Sequence, residues 1–243
     1  TQQPKYYYFA WSNRLILYYL KNGRTNIALY EAQKMLKEAQ EEDDKTGLSR
    51  CYNIMSQIYT VKRLDSMAFE WQLKEIELTE KYDLENYNIS QTYSQISSYY
   101  INTNQPEKAL EALKKADATA DSPTQKISVQ LEYVNYYSKF GDMQAAEKIL
   151  NECKTAFDQD KRLWSIKKRL YNIEYVYYLQ SKQYPKALEA AKKQEAEELN
   201  LSESIQNSVH YLTKGKIYSN MGNMSEAIKY LQMYIEAEDS LKI

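Results

Sequence analysis

An all-α fold, an α-solenoid of six antiparallel helix hairpins, is what this sequence predicts, and three observations carry the prediction. The first is a recurrence. Ala28, Ala68, Ala109, Ala146, Ala187 and Ala227 follow one another at spacings of 40, 41, 37, 41 and 40 residues. Nine positions before each stands a tyrosine: Tyr19, Tyr59, Tyr100, Tyr137, Tyr178 and Tyr218. Self-similarity at a fixed period is the signature of stacked supersecondary units. The second is a scarcity of backbone breakers: 243 residues hold only five Gly and four Pro, which suits helices joined by short turns. The third is the 25 tyrosines. Each can place a large ring in a core and a hydroxyl at its rim, as thin helical layers require.

The array is read as one domain over 1–243, with repeats at approximately 9–48, 49–89, 90–126, 127–167, 168–207 and 208–243. In each, the tyrosine falls near the end of the first helix and the alanine inside the second. A small side chain at that crossing lets two helices approach to about 8–10 Å. Gly23 ends the first helix of the first repeat by supplying a left-handed conformation, and Gly47 is assigned to the turn leading into the second. In the third repeat Asn104 takes the turn, and Pro106 opens the second helix, where a missing N–H costs nothing. Ser122-Pro123, a cap followed by a first-turn proline, opens the fourth hairpin, whose first helix ends at Gly141. Pro185 starts the second helix of the fifth repeat, and Gly222 turns the sixth. One hairpin buries only one face, so stacking supplies the core. With no capping helix after the sixth repeat, Ile228, Leu231, Tyr234 and Ile235 are expected on or near a terminal face, a candidate for self-association.

Seven residues before the repeating tyrosine, four of the six positions are tyrosine again: Tyr52, Tyr93, Tyr171 and Tyr211. The whole pattern resembles the tetratricopeptide repeat, W-x2-L-G-x2-Y followed by Ala, an aromatic and Pro. The sixth repeat matches best, with Tyr211 in place of Trp, then Gly215, Tyr218, Gly222, Ala227 and Leu231. The resemblance covers the chain from about residue 9 and implies a right-handed superhelix. It departs from the family in two ways. The period is near 40 rather than about 34. The first-helix glycine survives only as Gly215, with Ile16, Ser56, Ser97, Val134 and Tyr175 elsewhere, so hairpin packing is expected to be looser or differently angled.

No residue pattern supports catalysis or a cofactor. Zinc needs His and Cys clustered at short spacing, whereas one His and two distant Cys occur. His210 has no nucleophile in an elbow-type context beside it, and the glycines form no phosphate loop. Cys51 and Cys153 fall in the third and eighth helices of the array, too far apart for a bridge whose Cα atoms must lie within about 7 Å. The acidic run Glu41-Glu42-Asp43-Asp44 is read as a solvated helix face. With 32 basic and 33 acidic residues there is no basic field to neutralise nucleic-acid phosphates, and no apolar run is long enough for direct membrane insertion. A non-catalytic role with no metal is therefore expected.

In the tetratricopeptide family the first helices line a concave groove, which the resemblance places here at residues starting from 9, 49, 90, 127, 168 and 208. Fourteen-residue windows from those points hold nine basic residues, among them Arg14, Arg50 and Arg169, and only two acidic ones, Glu132 and Glu174. That leaves 23 basic and 31 acidic residues for the remainder, so a basic groove and an acidic back are expected. Family groove positions carry Asn13, Arg14, Asn53, Gln57, Ser94, Gln95, Ser98, Asn102, Asn135, Ser138, Arg169 and Asn172, with Arg50 beside them. Amides and hydroxyls hydrogen-bond an extended backbone, and arginines pair with carboxylates. One family subclass clamps a terminal carboxylate with Lys, Asn and Arg. Asn13 and Asn53 fit that clamp in type, but Gln91 and Gln95 stand where its third repeat needs basic residues, so the clamp is not carried over.

The expected function is a protein–protein interaction scaffold that binds a protein or an extended, acidic peptide in the groove. Two other classes fit the same sequence. One is the sensory or regulatory input domain of a larger bacterial signalling protein such as a membrane sensor kinase. The other is a homo-oligomerisation module acting through the C-terminal repeat. The chain opens at Thr1 without an initiator Met, which fits removal of a signal peptide and a bacterial extracytoplasmic, periplasmic location. It fits equally an excised domain, which leaves the cytoplasm open.

Overall fold

The computed structural model describes residues 4–86, 88–197 and 203–240, and within them the chain forms six antiparallel helix hairpins and no strand. The first pairs a long rod with α3 (Thr25–Glu41); the rod comprises α1 (Pro4–Ala10), a π-helical stretch (Trp11–Ile16) and α2 (Leu17–Lys21). The next three pair α4 (Lys45–Val61) with α5 (Asp65–Tyr82), α6 (Ile89–Asn102) with α7 (Pro106–Ala118), and α8 (Pro123–Phe140) with α9 (Met143–Gln159). A 3-10 turn (Lys161–Ile166) leads to α10 (Lys167–Gln180) and α11 (Tyr184–Glu197), and α12 (Glu203–Asn220) with α13 (Met224–Ser240) closes the order.

The repeating tyrosine frames every hairpin turn. Four residues after it the backbone is left-handed in all six cases: Gly23 (φ 71°), Arg63 (58°), Asn104 (59°), Gly141 (99°), Lys182 (60°) and Gly222 (75°). In five hairpins its carbonyl accepts the N–H five residues on, from Arg24, Leu64, Gln105, Gln183 and Asn223. This is the Schellman closure of a helix end. In the fourth, the Gly141 N–H takes the Tyr137 carbonyl at 3.0 Å. Arg63 and Lys182 adopt the same geometry despite a Cβ, at a cost of about 1–2 kcal/mol each.

Two residues after the left-handed position the second helix begins, and its alanine packs onto the first. Ala28, Ala109, Ala146 and Ala187 are fully buried, with Ala68 and Ala227 nearly so. Ser97, standing where the family carries glycine, donates its hydroxyl to the Ala109 carbonyl at 3.0 Å. A polar side chain thus joins the two helices of that hairpin where a glycine would only let them approach. Gly215 keeps the family role: a Cβ there would meet the Leu231 side chain at 2.9 Å.

The expected helix starts at Pro106 and Ser122-Pro123 are present, the Ser122 hydroxyl accepting from the Gln125 N–H at 3.2 Å. Gly47, in contrast, is not in a turn. It lies inside α4, buried, where a Cβ would strike the Tyr8 ring at 2.7 Å. The turn falls earlier, in the acidic run. Asp43 is left-handed, and Asp44 caps α4 by accepting from the Gly47 N–H at 2.9 Å. Gly47 is small so that the first hairpin can press its Tyr8 ring onto the second.

Successive hairpins share buried clusters rather than one central core. One cluster joins Tyr8, Ile16, Met35, Ile54 and Ile58. Others gather around Leu113 and Ile96, and around Leu131, Leu150 and Ile173. The array also curls back on itself. Arg63, in the turn of the second hairpin, donates Nη1 to Glu238 of α13 and Nη2 to Ser208 of α12, both at 2.7 Å.

Candidate functional site

The polar side chains expected to line a groove fall into three groups in the structure. The first surrounds a buried carboxylate on α5. Ala68, Gln72, Glu75, Ile76 and Thr79 form the buried stripe of that helix, which places the Glu75 carboxylate in the interior, 1% exposed. Asn53 Nδ2 donates to both its oxygens at 3.3 and 3.2 Å, Asn86 Nδ2 to Oε1 at 2.9 Å, and the Thr92 hydroxyl to Oε2 at 3.2 Å. Gln57 Nε2 donates in turn to Asn53 Oδ1 at 2.7 Å. Burial raises the Glu75 pKa above the usual carboxylate range, opposed by these donors and by Arg50. Arg50 donates Nε to the Ser12 hydroxyl and Nη2 to Asn13 Oδ1, each at 2.8 Å. Its guanidinium lies over the Phe9 ring at 5.2 Å, and burial lowers its pKa against the pull of Glu75. Ser12 and Asn13 belong to the π-helical stretch, whose wider turn is often found at functional sites.

The second group converges on Glu132 of α8, whose side chain is 4% exposed. Ser98 of α6 donates its hydroxyl to Oε1 at 2.6 Å, Asn135 donates Nδ2 to Oε1 at 2.9 Å, and Arg169 of α10 donates Nη2 to Oε2 at 2.9 Å. Residues from three consecutive first helices thus share one carboxylate. Arg169 Nε and the buried Ser138 hydroxyl have no hydrogen-bond partner. Glu174, the other acid of the first helices, is also buried and pairs with Lys154 at 2.8 Å.

The third group lines a cleft of about 360 Å³ between the start of α5 and the end of α6. Gln95, Ser98 and Asn102 face it from α6, with Gln72, Phe69 and Tyr99. Gln72 Nε2 bridges to Gln95 Oε1 at 3.2 Å, and the Phe69 and Tyr99 rings stack with centroids 4.0 Å apart. Polar hydrogen-bonding groups beside an aromatic wall suit an extended segment that carries both amides and apolar side chains.

Of the remaining expected residues, Arg14 and Asn172 are exposed, while Ser94 is buried and donates to the Ser90 carbonyl at 3.0 Å. Glu75 and Gln72 were not anticipated. The signal for them was present: on α5, counting from the repeating Ala68 at i+4 and i+7 leads to both. Glu132 was noted only as an exception to the basic windows, although its rarity there marks it. Internal pairing also reduces the basic surplus of the first helices, since Arg169 meets Glu132 and Lys214 meets Glu195 at 2.7 Å. Cys51 and Cys153 are free and buried, and burial pushes both thiols up to about 12. No described helix is long and apolar enough to cross a membrane.

Comparison with known proteins agrees with this architecture. The family model described as 26S proteasome subunit RPN7 matches residues 60–190, and that of the tetratricopeptide repeat matches residues 211–240. No curated protein sequence matches the chain. Among solved structures, the apo form of RapI is similar at 15% identity and a TM-score of 0.74, over 100% of this chain and 86% of that one. A Rap protein complexed with competence and sporulation factor gives 13% identity and a TM-score of 0.72, over 100% of this chain and 66% of that one. PilW, a type IV pilus biogenesis factor, gives 18% identity and a TM-score of 0.56, over 90% and 88%. At these identities the likeness is one of fold.

Proposed function

We propose, on the premise that this chain belongs to the RPN7 family and is built of tetratricopeptide repeats, that it is a non-catalytic scaffold binding an extended peptide or protein segment. Helical-repeat proteins of this type are in general interaction modules. The observation that carries the reading is the cleft between α5 and α6. It gathers Gln72, Gln95, Ser98 and Asn102, four side chains able to hydrogen-bond a peptide backbone, against the stacked Phe69 and Tyr99. Support also comes from the Rap protein of the same fold, which is complexed with competence and sporulation factor. The bound segment is read as polar and extended. An acidic preference rests on Arg14 and on the lysines of the first helices, because Arg50 and Arg169 are already held by internal partners.

The test is a selection from a random-peptide display library on the wild-type chain, with counter-selection on a Gln95→Ala/Asn102→Ala variant of unchanged helicity. Both side chains are off the shared alanine–tyrosine packing, so the fold is retained. Enrichment of a sequence motif on the wild type and its loss on the variant is the expected outcome. Enrichment that is equal on both proteins, or none on either, overturns the assignment of this cleft.

A further inference from the structure

A second concavity, of about 220 Å³, opens between the first rod, α4, α5 and the segment following α5. Its volume is far above the roughly 10–15 Å³ that lodges one water. Two opposite charges line it without meeting. Glu75 is held by neutral amides and a hydroxyl, and among the described residues no cation lies within ion-pair distance of it. Arg50 is held by a hydroxyl and an amide oxygen, which leaves Nη1 with no hydrogen-bond partner among the described residues. Buried charges in proteins are ordinarily paired. The carboxylate and the guanidinium face one cavity and attract each other across it without contact. Among the described residues neither is ion-paired, which leaves room for a complementary ligand between them. Phe9 and Leu84 add an apolar wall, and Asn86 adds an amide beside Glu75.

We propose that this cavity is a receptor for a free α-amino acid, with the ligand carboxylate on Arg50 and its ammonium turned to Glu75. A guanidinium edge matches a carboxylate in geometry as well as charge. An ammonium near Glu75 supplies the cation that the buried carboxylate lacks. A ligand with only one of the two charges would leave the other protein charge unpaired, so the pair of charges selects zwitterions over simple acids or amines. The apolar wall of Phe9 and Leu84 favours an amino acid with an apolar side chain. This site is distinct from the α5–α6 cleft and stands whether or not a peptide binds there.

The experiment is isothermal titration of the full chain with the proteinogenic L-amino acids one at a time. The best binder is then compared with its methyl ester and with the acid lacking its amine. At least one amino acid is expected to saturate the protein, with both analogues weaker by about ten-fold or more, the usual consequence of removing a hydrogen bond to a charged group. Arg50→Met is expected to lose binding. If that variant misfolds, the analogue series on the wild type carries the test alone. Absence of saturation by any amino acid up to millimolar concentration overturns the proposal, as does an ester that binds as tightly as its parent.

Discussion

Replacing Glu132 by alanine removes one carboxylate from three donors at once, and the structure sets the scale of the loss. Ser98 and Asn135 each lose an acceptor, at 2.6 and 2.9 Å, and Arg169 loses its only ionic partner among the described residues. The guanidinium is already short of one partner at Nε. Breaking a fully buried pair costs about 3–5 kcal/mol. The Arg169 side chain is 30% exposed and water recovers part of its solvation, so the lower end applies: about 3 kcal/mol for Glu132→Ala. Arg169→Met strands the more deeply buried carboxylate, 4% exposed and left with two neutral donors, and is expected to cost about 3 kcal/mol as well. The double variant no longer strands a charge. A coupling of about 1–2 kcal/mol is therefore expected between the two positions in a double-mutant cycle. The assay is urea unfolding followed by tryptophan emission, with midpoints compared at matched m-values. Additivity of the two substitutions within about 0.5 kcal/mol would refute the argument that Glu132 ties these helices together.

Three further outcomes follow from the geometry. Gly141→Ala is expected to destabilise by about 1 kcal/mol, because φ is 99° there and an added Cβ meets nothing; Lys182→Gly relieves the same strain and is expected to raise the urea midpoint. Both thiols have pKa values pushed up to about 12, so labelling by a disulfide reagent near neutral pH is expected to follow unfolding and to be negligible in the native protein. The third concerns Glu75, whose folded pKa is raised by burial. Its contribution to stability is therefore present below the ordinary value of 4.5 and falls away as pH rises through the raised value. The gap between wild-type and Glu75→Gln urea midpoints is expected to shift towards the variant as pH is raised from about 4 to about 7, and a gap independent of pH contradicts the assignment.

The hairpins were legible because each is set by short-range spacing. Tyrosine, left-handed turn and alanine occupy fixed offsets within one unit, and the structure keeps those offsets even at Arg63 and Lys182, where no turn-forming residue announces them. Gly47 was misassigned for the opposite reason. Its small size answers Tyr8, a residue of the preceding hairpin, and nothing adjacent in sequence reveals that contact. The same limit applies to the polar groups. Types and helix faces could be read for Asn53, Ser98, Asn135 and Arg169. Their pairing through Glu75 and Glu132 depends on how neighbouring hairpins are rotated, which spacing along one helix does not encode.

The bridge from Arg63 to Glu238 and Ser208 alters the mechanics of the array. A stack joined only between neighbours has two loose ends, and each frays without consulting the other. Here the sixth hairpin is fastened to the second, turning a ladder into a hoop. The Arg63–Glu238 half of that fastening is partly in water, with side chains 39% and 27% exposed, and so holds by no more than about 1 kcal/mol. Salt loosens that half further. The Ser208 hydroxyl that meets Nη2, by contrast, is fully buried. A pull on either end of the array is therefore shared between the second and sixth hairpins.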